Sequence, residues 1–167
     1  LSEDEEREHI AKSIEQVKRL TGTPPLGYYA GMPSINSRRL VVEAGTFVYD
    51  SDSFADDLPY WSNEFGRPHL ILPYSLETND SRFGRGQGYE VADDFFTYIR
   101  DTFDCLYEEG EARPAMMTIG LHARLLGRPG RIKALHKIMD YMLGHDRVWI
   151  CRRADLAKHW VEHHPGA

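Results

Sequence analysis

Short apolar runs alternate with segments of helical period along almost the whole chain, and that rhythm narrows the fold more than any other feature. Strands separated by helices imply βαβ units, hence a parallel sheet with helices laid on its faces. Residues 2–22 read as the first helix. Ser2 and Glu5 form a capping box, Ile10, Ile14, Val17 and Leu20 recur on one face, and Gly22 stops it. Pro24-Pro25 leads into a strand over 26–30. Asn36 or Ser37 caps a helix over 38–44 that ends at Gly45, and Phe47-Val48-Tyr49 is the next strand. An irregular stretch covers 50–68, a strand 69–74, and a polar loop runs on to Gly88. A long amphipathic helix fills 91–109. The apolar run 115–121 reads as a strand covered on both faces, followed by a helix over 130–143, a strand over 148–151 and a closing helix over 153–162.

Five such strands make a small open sheet or an arc of a barrel. In parallel α/β folds the active site lies at the carboxyl ends of the strands. The residues there are polar and aromatic: Tyr28 and Tyr29; Asp50, Ser51 and Asp52; Tyr74; His122 and Arg124; Arg152 and Arg153. His122 stands out, because it follows an apolar strand and precedes a Gly/Pro turn. A histidine in that position suits general acid–base work, although a strand-end histidine can also be purely structural. Asp50 and Asp52 put two carboxylates on the same rim, where they could orient a base, bind a cation or simply cap the chain. Trp61 and Tyr74 offer aromatic walls for a small planar ligand, or core filler. Asn79-Asp80-Ser81-Arg82 brings an amide, a carboxylate and a guanidinium into one loop suited to a ureido or carboxylate group.

Other patterns are weaker. His159 and His163 have ligand spacing, but on a polar terminal helix they read as solvated. Gly127-Arg128-Pro129-Gly130 lacks the Lys-Ser/Thr of a phosphate loop, and Gly84–Gly88 lacks the flanking strand and helix of a dinucleotide fingerprint, so both read as turns or loops. Neither a Gly-x-Ser-x-Gly elbow nor a Cys-x-x-Cys pair occurs. Cys105 and Cys151 read as reduced core residues. The net charge of −6 argues against nucleic-acid or anionic-membrane partners, and the acidic start is unlike a signal peptide. No apolar run approaches the roughly 18 residues of a membrane span, so the cytoplasm is the expected compartment. The absence of an initiator Met suggests a processed or truncated piece.

The blocks Leu26-Gly27-Tyr28-Tyr29, Ser37-Arg38-Arg39-Leu40-Val41, Tyr49-Asp50-Ser51-Asp52 and Asp56–Trp61 resemble the polysaccharide-deacetylase superfamily, most closely its allantoinase branch. Leu72-Pro73-Tyr74, Asn79-Asp80 and Ile119–Arg131 extend the likeness over nearly the whole chain. The resemblance implies an α/β fold, a distorted (β/α) barrel present here in part, with residues 1–167 as the C-terminal part of the catalytic domain. It implies hydrolysis of a non-peptide C–N bond, the cyclic amide of an allantoin-like molecule, with His122 as general acid. Tyr28, Asp50, Trp61, Tyr74, Asn79, Asp80 and Arg124 are the expected substrate-binding residues.

The family's Asp and His-pair metal motifs would lie before Leu1, and the arginine of its Arg-x-Pro-Tyr motif is not evident at 26–31. No metal or cofactor is therefore expected in this chain, the alternative being zinc held by ligands outside it. The rival readings are a metal-dependent chitin or peptidoglycan deacetylase and a catalytically inactive domain. The expected partner, besides the small-molecule substrate, is a second copy or a missing N-terminal half.

Overall fold

The computed structural model describes residues 1–84 and 88–166. Arg85–Gln87, the middle of the Gly84–Gly88 loop, lie outside the described residues. The chain divides into two compact units, residues 1–74 with the chain from 151 on, and Ser75–Ile150. Each is described on its own.

The first unit carries the sheet. Helix α1 (Glu3–Thr21) begins at the anticipated capping box: Ser2 accepts from the Glu5 amide, and Glu5 accepts from the Ser2 amide. It ends at Gly22, whose φ of 82° lies in the left-handed region that glycine enters without steric cost. Strand β1 (Gly27–Tyr28), helix α2 (Ser37–Ala44), strands β2 (Tyr49–Asp50), β3 (Tyr60–Ser62) and β4 (His69–Ile71), and the closing helix α5 (Arg153–His163) follow. The sheet order is β1-β2-β4-β3. The first three are parallel, with Gly27 opposite Tyr49 and Tyr49 opposite Leu70. Gly27 is obligatory there, since a Cβ would lie 2.1 Å from the Tyr49 ring.

One core joins α1 to α2 and the sheet through Ile10, Leu40, Val41 and Phe47, with Ile14 and Tyr28 against it. The other gathers Tyr49, Leu70, Leu72 and Ala157 beneath Trp61, Leu156 and Trp160. Only the first half of the expected α1 stripe is covered; Leu20 stays 77% exposed.

The second unit is a helix pair. A 3-10 turn (Asp80–Gly84) leads to α3 (Ala92–Glu109) and α4 (Ile132–Leu143). Phe95, Ile99, Ala134 and Ile138 form its fully buried centre. Asp94, in the first turn of α3, caps its start, accepting from the Glu90 and Val91 amides.

Several expectations are corrected. Strand β3, antiparallel to β4, lies within the stretch read as irregular. The run 115–121 forms no ladder: its single bridge joins Gly120 to Asn79, Met116–Ile119 are half-buried and Leu121 is exposed. Residues 148–151 likewise form no strand, with Trp149 57% exposed. An extended apolar run becomes a strand only when another strand accepts its hydrogen bonds, and among the described residues neither run finds a full one. Cys105 and Cys151 are free and exposed rather than core residues. Among the described residues, no helix is long and apolar enough to cross a membrane.

Candidate active site

His122 and Asp80 form the most fully determined polar constellation of the second unit. His122 Nδ1 lies 2.6 Å from Asp80 Oδ1. A carboxylate only accepts, so the imidazole carries its Nδ1 proton toward Asp80. The other oxygen, Oδ2, accepts from the His122 amide at 2.8 Å and the Leu126 amide at 3.1 Å. Asp80 is completely buried, while the His122 side chain is 32% exposed. One carboxylate thus fixes the ring's orientation, its tautomer and the turn that bears it. The His122 carbonyl in turn accepts from the Leu125 and Leu126 amides. Nε2 keeps no hydrogen-bond partner among the described residues and is the nitrogen left for a ligand.

The segment before Asp80 is pinned to the same place. The Asp80 amide donates to the Gly120 carbonyl, the Gly120 amide to the Thr78 carbonyl, and the Thr78 hydroxyl to the Thr118 carbonyl. Asn79 is buried here, its Oδ1 accepting from the Ser81 amide. Asn79 and Asp80, expected to contact substrate, are turned inward.

The first unit holds a second cluster. Asp50, 1% exposed, accepts from Arg38 Nε at 3.0 Å and Nη2 at 3.3 Å, and from the Asp52 amide. His69 Nε2 stands 3.2 Å from the same carboxylate, an ion-pair distance with geometry too bent for a hydrogen bond. Burial pushes the Asp50 carboxyl up, but His69 and Arg38 outweigh it and hold it below the usual carboxylate range. Asp52 goes the other way. Burial raises it, the Ala30 and Gly31 amides that it accepts pull it partly back, and the Asp50 charge raises it again. Tyr28, Arg38, Asp50 and Asp52 share a cavity of about 180 Å³ with Ile35 and Phe65.

Tyr74 stacks on Tyr29 with ring centres 4.7 Å apart. Beneath them Arg153 donates to Ser51 Oγ and to the Leu72 and Pro73 carbonyls, tying together the ends of β2 and β4. Burial lowers the Arg153 pKa, yet guanidinium remains charged. Trp61 is elsewhere: its indole donates to the His164 carbonyl and its ring belongs to the core under α5. Arg124 is exposed and lines a different cavity, with Arg128 and Arg131. His159 and His163 stack on each other at 4.3 Å.

Within the first unit, then, Tyr28 and Asp50 come together, while Trp61 and Tyr74 stand apart from their cavity. In the second, Asp80 and His122 meet. Residue type and position alone had singled out neither Arg38 nor His69. The available signal was a polar residue just before each apolar run, Arg38 before Leu40-Val41-Val42 and His69 before Leu70-Ile71-Leu72. Among the described residues no three His, Cys, Asp or Glu side chains are grouped to hold a metal ion. One carboxylate–histidine pair, Asp50 with His69, already has the Arg38 cation on its carboxylate, which opposes a second cation there. Among the described residues, that pair does not fit zinc.

No family model matches the chain. By sequence it is 41% identical over 177 residues to the Schizosaccharomyces pombe protein named "Putative polysaccharide deacetylase", covering 96% of this chain and 55% of that one. By structure it matches the crystal structure of Puue allantoinase at a TM-score of 0.97 and 50% identity, covering 100% of this chain and 56% of that chain. A "probable Polysaccharide deacetylase" from Pseudomonas aeruginosa PAO1 matches at a TM-score of 0.97 and 48% identity, with the same coverage. A Mycobacterium smegmatis structure, "putative polysaccharide deacetylase", matches at 0.83 and 25% identity. The chain is a polysaccharide-deacetylase homologue by sequence and structure, with the corresponding partial α/β fold. It spans about half the length of these relatives.

Proposed function

We propose that this chain is the His122-bearing part of a hydrolase of the polysaccharide-deacetylase type that cleaves a non-peptide C–N bond, with the cyclic amide of an allantoin-like ureide as substrate. The single observation carrying this reading is the Asp80–His122 pair, in which a buried carboxylate holds Nδ1–H and leaves Nε2 for the substrate. In the reaction, water adds to the amide carbonyl and the tetrahedral intermediate collapses by breaking its C–N bond. For this step His122 must be protonated on both nitrogens: it keeps Nδ1–H on Asp80, gives its Nε2 proton to the departing nitrogen, and is reprotonated by the proton that the new carboxylic acid releases as it becomes a carboxylate. Asp80 acts here as a positioning residue. The general base is assigned to the part of the relatives' length that this chain does not span.

The likeness to an allantoinase at 50% identity supports the ureide over an acetylated sugar. A metal-independent reaction and a cytoplasmic location belong to the same proposal. So does a second copy, or the remaining part of a relative-length chain, as partner. Grafting this chain in place of the matching part of Puue allantoinase tests it. Turnover of allantoin by the graft, lost with His122→Ala, is the expected result. Release of acetate from N-acetylglucosamine oligomers without allantoin turnover would transfer the assignment to the deacetylase reading.

A further inference from the structure

The turn that carries His122 continues into Arg124, Arg128 and Arg131, and all three line one open cavity of about 570 Å³ in the second unit, with Glu90, Val91 and Leu125. Several of the chain's other arginines are neutralised. Arg7, Arg39, Arg100, Arg113 and Arg152 each hold a carboxylate. None of the three cavity arginines has an ion-pair partner among the described residues. Three guanidiniums face one lining carboxylate, Glu90, in a molecule whose formal charge is −6.

Two of the three are held in place. The Arg131 guanidinium lies 4.4 Å over the Phe83 ring, a cation–π contact, with Nη1 3.5 Å from the Leu125 carbonyl. Arg128 Nε donates to the Arg124 carbonyl at 3.2 Å. That bond closes a tight turn in which Gly127 sits so near the Ala123 carbonyl that a Cβ would come within 2.3 Å. Among the described residues the Arg124 side chain, exposed on the cavity's lining, has no partner. Planar guanidiniums recognise carboxylate and phosphate oxygens in pairs. A cavity of this size lies within the ordinary range for small-ligand sites, about 300–1,000 Å³.

We propose that Arg124, Arg128 and Arg131 form a binding site for a small organic polyanion, a phosphate ester or a di- or tricarboxylate, and that its occupancy restrains the turn carrying His122. The link is short. Leu125 and Leu126 donate to the His122 carbonyl, and the Leu126 amide also reaches Asp80. An anion bridging Arg124 to Arg128 closes the turn from outside, as Asp80 does from within. The inference stands independently of the reaction proposed for His122.

Titrating the isotope-labelled chain with inorganic phosphate, and separately with citrate, at constant ionic strength tests it by NMR. Saturable shifts of the Arg124 and Arg128 side-chain N–H groups, of the Leu125 and Leu126 amides and of the His122 ring are expected. Tighter binding of phosphate or of citrate then identifies the oxygen arrangement preferred. Arg128→Gln weakens binding by about tenfold or more, the scale of one lost charge-assisted hydrogen bond. Arg124→Lys, a change at an exposed side chain, keeps the fold and weakens it less. Glu90→Gln tightens it, a gain that a misfolded variant cannot imitate. Shifts that never saturate with either anion, or affinity unchanged in both Arg128→Gln and Glu90→Gln, overturn the proposal.

Discussion

Replacing Asp80 separates its structural work from its work on His122. Asp80 accepts three hydrogen bonds, from the His122 ring and from two backbone amides, one of them on buried Leu126. In Asp80→Ala both amides lose their acceptor inside the protein. Each orphaned donor costs about 1–3 kcal/mol, so about 2–6 kcal/mol disappears from a total that is commonly about 5–15 kcal/mol. Asp80→Asn behaves differently. Its carbonyl oxygen can stand where Oδ2 stood and keep both amides, at a loss of about 1 kcal/mol. Its NH2 then faces His122 Nδ1, which must become an acceptor, and the ring proton moves to Nε2. Urea denaturation of the two variants reads the first effect, and the ring 15N shifts of His122 read the second. The expected result is a clear stability gap between alanine and asparagine, together with tautomer reversal in the asparagine variant. An alanine variant within about 1 kcal/mol of the parent would refute the assignment of Asp80 as the internal acceptor of this turn. An asparagine variant that keeps its proton on Nδ1 would refute its control of the ring.

Further outcomes follow from the same contacts. His122→Ala in the Puue graft lowers turnover by about 10²-fold or more and, by taking one donor from buried Asp80, costs about 1–3 kcal/mol in urea; near-parental turnover in a folded variant returns His122 to a structural role. Asp50, held below its ordinary range, stabilises the fold above the unfolded aspartate value of about 3.9 and loses that contribution as pH falls through the lowered folded value. Asp52, raised by burial, does the opposite and adds stability as pH falls through its folded value. Urea midpoints measured across the acid range should therefore change slope in opposite senses in Asp50→Asn and Asp52→Asn, and matching slopes would contradict the assignment. Metal analysis of the dialysed chain should find no stoichiometric zinc; one tightly held ion lost with His122→Ala would reverse that expectation. Phe95→Ala, at the fully buried centre of the helix pair, should cost about 3–5 kcal/mol in urea denaturation.

What the sequence made legible, and what it did not, divides along the reach of the interactions involved. Helices declare themselves locally. Ser2 and Glu5 cap α1 through atoms three residues apart, and the observed helices begin and end within two residues of their sequence-based bounds. Strands do not, because a strand is a relation between two segments. The run 115–121 has the composition of a covered strand, yet only Asn79 bridges to it, at Gly120. Tyr60–Ser62 has a weaker pattern and still pairs, since Ile71, Leu70 and His69 stand opposite it. The two cysteines were misplaced for a related reason: an apolar neighbourhood in sequence says nothing about cover from elsewhere in the chain.

The same division runs through the candidate sites. His122 was visible because its residue type and its place between an apolar run and a Gly/Pro turn are both local, although that run is not a strand. Its partner was visible only as a loop carboxylate. That Asp80 points inward at His122, 42 residues away, depends on the Asn79–Gly120 bridge that brings the two segments into register. Arg38 and His69 converge on Asp50 across separations of 12 and 19 positions because α2, β2 and β4 are neighbours. Residue types therefore nominate the chemistry, and long-range pairing decides which carboxylate faces a ligand and which holds another side chain. This is why the acidic residues were the hardest to assign. A buried carboxylate must find donors within the protein, and the donors that occupy it also remove it from the list of groups free to bind substrate.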